Sequence, residues 1–241
     1  MRAALILAAT PLLLAACQSN WEREGRAAQA SGEGTSRSYD AKDFTKVDLR
    51  GPDDVDVRAG DSFSVRAEGD AKTLDRLEIA VVDGTLRIGR KESSGWHWGG
   101  GPGVKVHVTL PRLNAASVSG SGNLDVDRAE GDFAGDVAGS GNLSVGALNG
   151  SAADLAIAGS GNLKIAGQAA KLSASIAGSG EIDAKGLSAT SADVSIAGSG
   201  SVRGTVKGPA SVSIMGSGDV ELGGGASCSV NRMGSGNARC S

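Results

Sequence analysis

Few residues of this 241-residue chain could carry chemistry: three Cys, two His and a scatter of carboxylates. His97 stands between Trp96 and Trp98 in SSGWHWGGGPG, a Gly-rich stretch that no strand pattern explains. Two indoles at such a tip could stack on sugar rings, contact a protein or meet lipid headgroups, so Trp96, His97 and Trp98 form the candidate binding loop. Their purely structural use would be to cover an open end of the fold. His107, in VKVHVTL, falls on the polar parity and is expected at the surface. Asp183, Asp219 and Glu221 are near enough to be considered for glycan cleavage, which needs two carboxylates ~5 Å or ~6.5–9.5 Å apart. No aromatic residue follows Phe133 to make a sugar platform, so a polysaccharide lyase or hydrolase is the minor alternative. Two Cys without a nearby His make a poor metal site. The triplet Ser residues have no base beside them. No catalytic residue, metal or cofactor is therefore expected.

The third cysteine, Cys17, follows an apolar run from Ala3 to Leu14 that one Arg precedes. That run is an export signal too short to span a bilayer. Leu14-Ala15-Ala16-Cys17 resembles the bacterial lipobox, which implies cleavage after residue 16 and acylation of Cys17. Several chains on one residue would anchor stably where one would be marginal. Gln18 stands where an Asp would imply retention at the inner membrane, so the resemblance implies an outer-membrane lipoprotein, facing the periplasm or the cell surface. Residues 17–40 are polar, rich in Gly and Ser and without period, and read as a flexible tether after the 1–16 signal. With 24 basic and 27 acidic residues and a net charge of −3, the chain lacks the basic stripe that nucleic acid requires.

The residues named so far must be positioned by what dominates the rest of the chain, a repeat. Gly-Ser-Gly recurs seven times, centred on Ser121, Ser140, Ser160, Ser179, Ser199, Ser217 and Ser235, at intervals of 18 to 20 residues. Three and five residues to either side of each Ser stand mainly Val, Ile, Leu and Ala, with polar or small residues between. Period two with β-branched enrichment predicts strands. A ~19-residue unit with one apolar face cannot bury it alone, so equivalent strands must stack in parallel. The expected fold is all-β: a right-handed parallel β-helix with bends at the glycines.

Two outward columns test that stacking. Four residues after each Ser stand Asp125, Ser144, Lys164, Asp183, Arg203, Glu221 and Arg239, so the last five coils set each charge on its opposite. Two after stand Asn123, Asn142 and Asn162, an expected amide ladder. In the final coil Cys228 and Cys240 both fall on inward columns. A disulfide there would close a loop of about a dozen residues, and Arg232 in place of Ile suits a polar cap.

Residues 41–112 lack the triplet but read as irregular coils with a hairpin at Asp83-Gly84, leading into regular coils over 113–241. A helical turn is expected near Ala71 to Leu77. Phe44 with Val47, the Asp54-Val55-Asp56-Val57 strand, Val65 with Glu68-Gly69-Asp70, then Asp83-Gly84 with Leu86 and Ile88 ahead of the Gly-Ser-Gly coils together resemble the bacterial head GIN domain family. By description these are heads of auto-transporter adhesins. The resemblance implies one β-helix domain on an exported protein and brings no catalytic residues. It leads to the expectation of a non-enzymatic, lipid-anchored envelope module for adhesion, surface binding or structure, with a glycan or protein ligand. The alternative is a periplasmic scaffold or sensor accessory with a protein partner.

Overall fold

Alternating apolar residues make a strand on each side of every Gly-Ser-Gly corner, and the coils stack those strands into two continuous parallel sheets. The computed structural model describes residues 26–91 and 103–241. The front of the chain forms β1 (Arg26–Ala27), β2 (Gln29–Ser31), β3 (Ser36–Asp40), β4 (Lys46–Gly51), β5 (Asp54–Ala59), β6 (Ser64–Glu68), the single-turn helix α1 (Ala71–Leu74), β7 (Leu77–Val82), β8 (Thr85–Arg90) and β9 (Lys105–Leu110). The regular coils follow as β10 (Ala115–Gly120), β11 (Asn123–Glu130), β12 (Phe133–Gly139), β13 (Asn142–Asn149), β14 (Ala152–Gly159), β15 (Asn162–Gly178) and β16 (Glu181–Gly198). β17 (Ser201–Val206), β18 (Pro209–Gly216), β19 (Asp219–Gly223), β20 (Ser227–Gly234) and β21 (Asn237–Cys240) complete the stack. β15 and β16 are long because each bends from one sheet into the other.

The first parallel sheet runs β8, β4, β10, β12, β14, β15, β16, β18, β20. The second runs β9, β5, β11, β13, β15, β16, β17, β19, β21. Register follows the repeat: Val118 pairs with Val137, Val137 with Ile157, and Ile157 with Ile176. These residues and Leu124, Leu143, Leu163 and Ile182 are almost wholly buried between the sheets. Gly51-Pro52-Asp53 occupies a corner of the same stack, since Gly51 pairs with Gly120 and Asp54 with Asn123.

The corners show why Gly is required on both sides of Ser. Gly159 has φ 132°, and a Cβ there would lie 2.4 Å from the Gly139 carbonyl oxygen. Gly161 is buried, and its Cβ would meet the Gly141 oxygen at 2.3 Å. That proximity serves the backbone: the Gly139 carbonyl accepts from the N–H groups of Ser160 at 2.8 Å and Gly161 at 3.0 Å. Only the glycine after Ser is buried; the one before it is half-buried or exposed. The seven central Ser are exposed.

The front differs from a simple stack. β7 returns antiparallel on β8 through Asp83 (φ 48°) and Gly84 (φ 70°), the hairpin turn that the sequence announces. β6 lies antiparallel on β9. The Asp70 carboxylate caps α1 by accepting from the Thr73 N–H at 3.1 Å. The tether expected over 17–40 needs correction: residues 26–40 contain strands, β1 antiparallel to β7, β3 antiparallel to β6 and β2 antiparallel to β3. Tyr39 of β3 turns inward, 7% exposed, whereas the polar β2 is exposed along its length, as suits an edge strand. These added strands cover the first coil. Among the described residues no such strands cover the last coil, where Val230 is 45% exposed.

Candidate functional site

The outer face of the second sheet carries two ordered polar columns. Asn162 Nδ2 donates to Asn142 Oδ1 at 2.9 Å, Asn142 to Asn123 at 2.7 Å, and Asn123 to the Asp54 carboxylate at 2.7 Å. One Asp thus terminates the amide ladder at its front. In the neighbouring column Lys164, Asp183, Arg203, Glu221 and Arg239 are register partners in that order, as their alternation requires. Contacts are more local than the register. Arg203 hydrogen-bonds Glu181, one column across, and lies 3.9 Å from Glu221. Asp183 Oδ1 accepts from the Lys185 N–H at 3.2 Å.

Beyond this point the last three coils enclose a shallow groove of about 260 Å³, lined by Ser201, Arg203, Asp219, Glu221, Asn237 and Arg239 with Val202 and Val220 behind them. Asp219 and Glu221 therefore share a groove, but Arg203 stands over Glu221 and no aromatic ring lines the wall. Asp183 lies outside that lining. The arrangement suits recognition of a polar surface more than protonation of a glycosidic oxygen, which wants one carboxyl raised by an apolar setting.

At the same end Cys228 and Cys240 are bonded, with their Cα atoms 6.2 Å apart. The bridge ties β20 to β21 but leaves the interior column open: Val230 is 45% exposed, whereas Val194 and Val212 in the same column are 3% and 1%. Arg232, the register partner of the buried Ile214, is exposed and donates to the Gly236 carbonyl at 3.3 Å. At the opposite end β1, β2, α1 and β7 surround a groove of about 300 Å³ floored by Tyr39, Leu74, Leu77 and Ile79. Burial is the main cause pushing the Tyr39 hydroxyl above its ordinary range.

Trp96, His97 and Trp98 lie outside the described residues, as does Cys17. The flanks of the Trp segment are fixed by a residue that sequence reading missed. Asp53 is fully buried, and its two oxygens accept from Arg90 at 2.5 and 2.9 Å while one also accepts from the Val104 N–H at 2.9 Å. Arg90 ends β8 and Val104 precedes β9, so one carboxylate clasps both sides of the 91–103 connection. The available signal was Gly51-Pro52-Asp53 at a triplet corner, where a buried acid replaces Gly. His107 is half-buried, with Nδ1 3.8 Å from Asp56.

Stacked coils, polar outer ladders and one covered end define a parallel β-solenoid. A family model described as "Putative auto-transporter adhesin, head GIN domain" matches residues 43–226, and the chain belongs to that family. A putative adhesin from Bacteroides fragilis NCTC 9343 has the same fold, with TM-score 0.75 and 21% identity over 87% of this chain and 98% of that one. A putative lipid binding protein from Parabacteroides distasonis ATCC 8503 superposes with TM-score 0.69 and 23% identity, over 87% and 98% of the two chains. A putative adhesin from Parabacteroides merdae ATCC 43184 gives 0.69 and 21%, over 88% and 97%. No curated protein matches the chain. Among the described residues no helix is long and apolar enough to cross a membrane.

Proposed function

We propose that this chain is a lipid-anchored, non-enzymatic head of the cell envelope that binds another surface in the manner of an adhesin. The observation that carries this reading is the polarity of the stack. The chain enters through β1 at the covered end, while the last coil stands open at the other, so an anchor at Cys17 would hold one end and leave the other free. The family and the fold relatives point the same way. The Trp96 and Trp98 segment and the polar groove of the last coils are the two candidate contact regions.

The decisive experiment follows an epitope-tagged chain on intact and permeabilised cells. Digestion by added protease on intact cells is the expected result, and attachment should fall when Trp96 and Trp98 become Ala. Protection until permeabilisation would replace this reading with that of a periplasmic scaffold. Cys17→Ser should release the chain from the membrane fraction; retention there would overturn the lipid anchor.

A further inference from the structure

The chain contains three methionines, and apart from Met1 they are Met215 and Met233. These two are register partners on adjacent strands, β18 and β20. They occupy the outward column two residues before the central Ser, which the five preceding coils fill with Ser119, Ala138, Ala158, Ala177 and Ala197. The fold therefore asks only for a small residue there. Both methionines are nonetheless large and open to water, 61% and 67% exposed. Burial explains neither, because neither side chain joins the core.

We propose that Met215 and Met233 form a two-thioether site for a soft monovalent cation, Cu(I) or Ag(I). Parallel strands hold equivalent residues ~4.8 Å apart. Register partners on one outward face set the two side chains side by side, within reach of one shared cation. Thioether sulfur selects soft ions and leaves zinc, calcium and magnesium to oxygen, imidazole and thiolate. Methionine is unbranched and turns about three bonds, which lets two sulfurs on one face converge. The neighbouring thiols do not compete, since Cys228 and Cys240 are bonded to each other. The inference is independent of the adhesin reading.

The test uses the full chain in detergent micelles with Cys17→Ser, the disulfide intact and the methionine methyl groups carbon-13 labelled, titrated with silver nitrate in chloride-free buffer. The methyl signals of Met215 and Met233 should move together and saturate at one equivalent, with Met1 as the internal reference. Met215→Leu and Met233→Leu should each weaken silver binding at least tenfold by calorimetry. Leucine keeps the apolar surface, so a merely hydrophobic patch would be unaffected in its stability and solubility. A hundredfold excess of zinc should not displace the silver. Stationary methyl signals, saturation at two independent equivalents, or undiminished binding by the double Leu variant would each overturn the site.

Discussion

Single residues decide whether a corner can close. At Gly161 an added methyl meets the backbone oxygen of Gly141, which cannot move without shifting the coil below. Gly161→Ala should therefore cost about 3 kcal/mol, the scale of overpacking in a rigid interior. Ser160→Ala, at an exposed position one residue away, should stay within ~0.5 kcal/mol. Paired urea melts check both, and equal losses would contradict the account. The corner glycines were legible from the sequence because both flank every Ser, whereas Asp53 was not. A lone Asp after Pro looks like a turn residue, and only the fold brings Arg90 and Val104 to it across 37 and 51 residues. Asp53→Ala would leave the Arg90 guanidinium, which is only 10% exposed, without its buried carboxylate. A loss on the order of 3–5 kcal/mol follows from breaking a buried pair by removing one partner. Thermal melts of the variant beside Asp61→Ala, at an exposed carboxylate outside the clasp and the ladder, would measure it.

At the scale of strands and columns, period two gave both faces of nearly every strand in the coils, and the triplet spacing gave the register. The front strands β1 to β3 were hidden because their stability comes from pairing with β7 and β6, not from a pattern of their own. Columns also bring like charges together. Asp136 lies one rung from the coil that bears Asp154, and burial, followed by the Asp154 charge, raises its carboxyl above 3.8. The folded state thus holds that proton more tightly than the unfolded state does. The favourable contribution is complete below pH 3.8 and is lost as the pH rises through the folded value. Asp136→Asn should accordingly stabilise the protein at pH 7 by about 0.5 kcal/mol, since the carboxyl is only partly buried and water screens the rest of its charge. The gain should vanish in melts below pH 3.8, and a gain that persists there would point to a cause other than charge.

For the whole molecule the two ends behave differently. The covered end has antiparallel strands and a capped helical turn, while the other depends on one bridge with a sequence separation of 12. Loop closure of that length is worth ~3 kcal/mol. In a solenoid each coil touches only its neighbours, so removing the bridge should loosen the last coil before the rest. Hydrogen exchange of a Cys228→Ser, Cys240→Ser variant should show faster amide exchange over 224–241, with the coils around Ser160 unchanged. Uniform acceleration would mean that the bridge supports the entire stack. The sequence suggested a cap here because both Cys fall on inward columns. It could not show that Val230 remains open, since exposure depends on the neighbour a terminal coil lacks.

Parallel register has one more effect, on length. Each coil advances the stack by one strand spacing, ~4.8 Å, while using 18 to 20 residues and leaving every face unchanged. The molecule is in this sense a ruler with fixed graduations, and copying a repeat moves its two tips apart by one mark. The sign alternation from Lys164 to Arg239 adds a rule of parity. One extra coil inside that stretch sets two like charges on adjacent rungs, whereas two restore the sequence of signs, so this part of the ruler lengthens most readily in pairs.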